Sequence, residues 1–151
     1  MPLLPDHAHT PGINARPAPH VPVQATVDAA FLNVHPDYLE GWFLLRSGYP
    51  WEAHEVWEDI WRKLPASSGE RHFVQGLIRL AAAGVKGRQR NRAGILHHLA
   101  GAKAHFNAAG NMPTGGITPQ ALNDWIETLS IEMWLSAGPD APGPLIEIGP
   151  G

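Results

Sequence analysis

The chain has 151 residues, with 11 Lys and Arg against 14 Asp and Glu, for a formal charge of −3. That near-balance gives no global attraction to nucleic acid or to an anionic membrane, and the length fits one domain with a real core. Cysteine is absent, which excludes disulfides, thiol catalysis and thiolate metal sites.

The start, Met1 to Asp6, has neither the basic stretch nor the apolar run of a secretory signal, and no apolar run approaches the roughly 20 residues that span a bilayer. A cytoplasmic protein without membrane association is the default expectation. Ten of the 15 prolines fall in residues 1–22 or 139–151. Proline removes backbone donors and blocks regular structure. Residues 1–27 therefore read as a flexible Pro-rich arm, 28–138 as the folded domain, and 139–151 as a loose Pro/Gly tail.

Five helical segments are predicted between these ends. The first opens at Pro36 and stops at Gly48. The second runs from Pro50 to Leu64, with Pro65 ending it. The third is capped at Ser67 or Ser68, the former with capping-box spacing to Glu70, and continues to about Gly87. The fourth begins at Asn91 and ends near Gly110. The fifth has Thr118 as cap and Gly138 as stop. No stretch alternates apolar and polar residues for long, so strands are not expected. Short connections make neighbours antiparallel. The fold expected is all-α: a small antiparallel bundle of four to five helices, with the second and third as its central pair.

At 100° per residue the second helix collects Ala53, Val56, Trp57, Ile60, Trp61 and Leu64 on one arc. His54 and Glu58 lie at its edge, four residues apart and able to meet. Glu55 lies further round, with Glu52 and Asp59 beyond. The third helix carries an apolar arc from Phe73 to Val85 and an opposite stripe of Gln75, Arg79 and Lys86. Gly76, Ala83 and Gly87 make a small-residue edge, as do Gly94, Gly101 and Ala108 on the fourth, where helix axes can approach closely.

The stretch Glu52-Ala-His54-Glu55-Val-Trp57-Glu58-Asp-Ile-Trp61-Arg62, followed by Gln75-Gly-Leu-Ile78 and Asn91-x-x-Gly94, resembles the domain of unknown function 309 family. The resemblance spans Tyr49 to His105 and implies a small helical bundle; it implies no activity. Arg90 departs from the pattern, which has Gly before Asn91.

Two functional readings follow. In the first, His54, Glu55 and Glu58 form a catalytic or ligand-binding centre. Gln75, Lys86 and Trp61 contribute ligand contacts from around it, with His98 as a further donor. Imidazole and carboxylate also suit a divalent metal, with His54 and Glu58 as ligands, and a metal-bound water would be the economical nucleophile. In the second, the same cluster is a structural polar network inside a non-enzymatic interaction module. There Glu55 or Glu58 pairs with Lys86, Arg79 or Gln75, and a tryptophan face joins a partner or a second copy of the chain.

Other features carry less. His98 and His105 are seven residues apart on one helix, about 10.5 Å, too far to share an ion unaided; His97 fares no better. His7, His9 and His20 suggest only adventitious metal binding. The stretch Lys86-Gly-Arg88-Gln-Arg90-Asn-Arg92 has phosphate-binding charge but lacks interleaved aromatics, so nucleic acid is not expected. Trp51 lies off the apolar arc, placed to close over the polar cluster or to make a subunit contact. Nucleotide-loop motifs are absent.

Overall fold

The computed structural model describes residues 4–5, 7–14, 27–137 and 143–144. Among these the protein is all-α, apart from one isolated bridge between Thr114 and Ile117. A 3-10 turn, Ala29–Val34, leads into α1, Pro36–Arg46. His35 Nδ1 accepts the Asp37 amide at 3.2 Å, and Pro36 occupies the first turn, where no donor is lost. Gly48, at φ 90°, turns the chain into α2, Pro50–Lys63. Then follow α3, Gly69–Arg88, and α4, Arg92–Ala109. The caps are Ser68, whose Oγ accepts the Arg71 amide at 3.1 Å, and Asn91, whose Oδ1 accepts the Gly94 amide at 2.9 Å. Ser68 as cap places Arg71, not Glu70, at the third position, so the predicted capping box does not form.

The apolar arcs are the core. Ala53, Val56, Trp57 and Ile60 of α2 and Leu64 just after it are buried, as are Phe73, Val74, Leu77, Ile78, Leu80, Ala81 and Val85 of α3. Trp61 is the exception: it is half-buried, with the Arg71 guanidinium stacked 4.3 Å from its ring centre. The central helix is α3, packed between α2 and α4, while α1 covers α2. Contacts pair early residues of one helix with late residues of the next, as with Gly69 against Ala109 and Gly76 against Phe106. Likewise Arg71, early in α3, stacks on Trp61, late in α2, while Trp51 shares a cavity with Lys86 and Gln89, so both α2–α3 and α3–α4 are antiparallel.

The predicted fifth helix is two: α5, Pro119–Glu127, and α6, Ile131–Leu135. Thr128 breaks it. Its hydroxyl donates to Trp125 O at 2.6 Å, a local bond that competes with helix propagation, and Ser130 is extended. The break folds Trp134 into the core, edge-on to Trp125 at 6.2 Å, with its backbone against Gly87. A Cβ at 87 would lie 2.3 Å from Trp134 O, so this small-residue edge serves α6.

The basic run after Lys86 scatters rather than forming a patch. Arg88 is buried and donates to Gly48 O at 2.7 Å. Arg90 donates to Leu135 O, and Arg92 pairs with Glu132 at 3.1 Å. Arg90 sits at φ 57°, the left-handed conformation that glycine adopts without strain. That is the physical content of its departure from the family pattern: the turn needs a left-handed residue, and Arg90 offsets its backbone cost with a bond to the end of α6. Among the described residues no helix is long and apolar enough to cross a membrane.

Candidate functional site

Three stripes spaced by three and four residues face one another across α3. They are Trp51, His54, Glu58 and Trp61 on α2; His72, Gln75, Arg79, Ala82, Lys86 and Gln89 on α3; and Gly94, His98, Gly101 and His105 on α4. They frame a polar groove over the central helix with a cavity toward each end. One, about 270 Å³, is lined by Pro11, Trp51, His54, Ala82, Val85, Lys86, Gln89 and His98. The other, about 350 Å³, is lined by Trp61, Ala66, Arg71, His72, Gln75 and His105.

The groove divides the predicted centre. His54, Lys86 and His98 meet in the first cavity. Gln75 and Trp61 belong to the second. Glu55 is half-exposed and lines neither. His54 Nδ1 lies 3.2 Å from Trp51 O and Nε2 lies 2.9 Å from Glu58 Oε1, so both ring nitrogens have partners. Glu58 Oε2 accepts from Arg62 at 3.2 Å. Of the pairings that the structural reading allowed for Glu55 or Glu58, Glu58 makes none with Lys86, Arg79 or Gln75 among the described residues.

Arg79, between the cavities, is expected from the sequence only as a partner of Glu55 or Glu58. Its guanidinium faces His98 Nδ1 at 3.0 Å and His97 Nε2 at 3.4 Å. Among the described residues no carboxylate pairs with Arg79 or with Lys86. The glycines of α4 make their room. A Cβ at 101 would lie 2.5 Å from Arg79 Nε, and one at 94 would lie 2.8 Å from Lys86 Cδ. The second small-residue edge thus admits cationic side chains rather than another backbone.

Burial pushes His98 down to about 4, helped by the positive charge of Arg79 and by His97, Lys86 and His54. His105 is lowered by burial and by His72 and Arg79. Its Nδ1 lies 3.2 Å from His72 Nδ1. At neutral pH the His98 ring is therefore uncharged, with Nδ1 free to accept from Arg79. Because the native value lies below the unfolded one, His98 contributes stability that is fully present above about pH 6.5. That contribution is lost as pH falls toward about 4. Asparagine keeps an acceptor for Arg79 but does not titrate. His98→Asn should therefore narrow the loss of unfolding free energy between pH 6.5 and 4, measured by urea titration at each pH. Parallel curves for the two proteins would refute this linkage.

Glu52, placed on the outer face by helical periodicity, is buried instead. Its Oε2 accepts the His9 amide at 2.8 Å. Burial pushes its carboxyl up, partly offset by that bond and by the charges of His9 and Arg88. Local sequence held no signal for this, because the covering residues lie 43 positions away.

Neither His54 with Glu58 nor His72 with His105 is joined by a third ligand, and among the described residues no three His, Asp or Glu side chains converge as metal ligands. The chemistry the groove offers is cationic and imidazole hydrogen bonding around space for a small molecule.

Fold and groove together define a small all-α bundle with a cationic, histidine-lined cleft across three consecutive helices. Residues 38–98, which span α1 to the first half of α4, match the family model described as Domain of unknown function (DUF309). The resemblance carried by the α2 and α3 motifs is therefore borne out over that stretch. No curated protein and no solved structure shows significant similarity to the chain.

Proposed function

We propose that the protein binds a small anion, of the phosphate or carboxylate class, in the groove over α3. One observation carries this reading: Lys86 lines the first cavity beside His54 and His98, and Arg79, in the room left by Gly101 at the edge of that cavity, faces His98 and His97 instead of a carboxylate. A partly buried cation without an anionic partner is costly, and an arriving anion relieves that cost. His54 acts here as a fixed wall of the first cavity, held by Glu58. Their bonds to each other, to Trp51 O and to Arg62 favour the structural alternative for that cluster over a free general base.

The test is calorimetric titration of the full chain with inorganic phosphate, beside Arg79→Met. Wild type should bind, and the variant should bind at least about tenfold more weakly, the scale of one lost charge-assisted contact. A bound anion also favours the protonated imidazole, so phosphate should raise the His98 value followed by NMR. Equal affinity in the two proteins, or no binding by either, would remove the proposal.

A further inference from the structure

The first cavity has one wall that is not helical. Residues 8–14 fold into a compact turn of their own. The Asn14 side chain accepts the Thr10 amide at 2.9 Å and donates to Ala8 O at 2.8 Å. Ile13 and Asn14 amides donate back to Thr10 O at 3.0 and 3.2 Å, and Gly12 takes φ 81°. A turn closed by its own side chain is ordered before it docks, which lowers the entropy cost of docking.

The turn is held by side chains of α2 and α3 that read its backbone. The His9 amide donates to Glu52 Oε2, and Gln89 Nε2 donates to Pro11 O at 3.0 Å. Just upstream, Tyr49 OH donates to Pro5 O at 3.2 Å. The His9 ring stands edge-on to Trp51 at 4.8 Å, and Thr10 is buried. Pro11 then lines the cavity opposite Lys86 and His98.

The seat is also incompletely satisfied. Glu52 Oε1, Arg88 Nε, Trp51 Nε1 and His9 Nδ1 are buried without a hydrogen-bond partner among the described residues. A polar contact left part-satisfied is weak for its area, and such a contact opens readily.

We infer that residues 8–14 are a strap that docks reversibly on Glu52, Trp51 and Gln89 and closes the Lys86–His98 cavity over its ligand. This rests on the anion reading of the groove. The strap supplies the side of the pocket that the three helices leave open, so ligand and strap stabilise each other. An anion that binds more tightly in the closed cavity than in the open one shifts the strap toward its docked position, by the reciprocity of coupled equilibria.

The test uses the full chain and His9→Pro. This substitution removes the amide that Glu52 accepts, and residue 9 does not itself line the cavity. If the docked fraction falls to about a tenth, the apparent Kd for inorganic phosphate rises about tenfold. In wild type the His9 amide should exchange slowly with solvent, and more slowly still when phosphate is added. Equal phosphate affinity in the two proteins overturns the strap, as does His9 exchange that phosphate does not change. A protected His9 amide in a protein that binds no phosphate overturns both the anion reading and the closing role, and leaves residues 8–14 as a static part of the fold.

Discussion

Gly41→Val should lower the unfolding free energy by about 3 kcal/mol, the upper range for overpacking a filled core. Gly41 lies where α1 crosses α2. A Cβ there would be 2.1 Å from Trp57 Nε1 and 2.4 Å from its Cε2. The indole has nowhere to retreat. It is fully buried, packs edge-on to Trp42 at 5.3 Å, and donates to Tyr38 O at 3.2 Å. Moving it breaks that bond and orphans a buried N–H. Helix propensity pulls the other way, by up to about 1 kcal/mol, because glycine is the weaker helix former. The clash outweighs it. For a domain of this size the loss corresponds to a fall of roughly 6–12 °C in Tm. Urea and thermal unfolding check it; an unchanged midpoint would show that α1 can lift away from Trp57 at no cost. Trp57→Phe removes the atoms nearest the new side chain. Gly41→Ala with Trp57→Phe should therefore cost less than the two single changes added together.

Gly101→Ala should do the reverse: leave the fold within about 1 kcal/mol of wild type and abolish most phosphate affinity. The added Cβ falls 2.5 Å from Arg79 Nε, 2.7 Å from Nη2 and 2.8 Å from Cζ. These are the far end of a flexible side chain on a half-buried position, so the guanidinium can swing outward. The helix gains propensity from losing a glycine, about 1 kcal/mol, which offsets the lost bonds to His98 and His97. Binding has no such compensation, because the displaced cation is the group the anion needs. Circular dichroism with urea titration reads the first half and calorimetry with phosphate the second. A variant that keeps wild-type affinity would show that Arg79 does not hold the ligand.

The two glycines look alike in the sequence and behave oppositely, and the reason lies in what faces them. Periodicity identifies which side of α2 or α3 is apolar, and almost every residue so assigned is buried. It does not reveal what arrives from elsewhere in the chain. Glu52 was assigned outward on its own helix and is buried by residues 8–14. His72 carries no local signal of its partner, because His105, whose ring it meets in the groove, lies 33 positions away. His54 and Glu58 are legible as boundary residues because they share one edge of the α2 arc, and Lys86 as part of the polar stripe of α3. The division of these three and His98, with Glu58 outside both cavities and the others lining the first, was not legible, since it depends on Arg62 taking Glu58 while Arg79 faces His98.

Sequence alone determined where the first four helices start and stop, through Pro36, Pro50, Asn91 and the glycines at 48 and 110, and which arc of α2 and α3 is buried. Those are properties of a few residues in a row, where backbone hydrogen bonding and apolar spacing act locally. Only the tertiary structure decided that α3 is the middle helix, that Gly94 and Gly101 hollow a groove for Lys86 and Arg79, and that residues 8–14 wall it. Each of those depends on close contact between distant segments, and their separation is set by packing, which no single helix encodes.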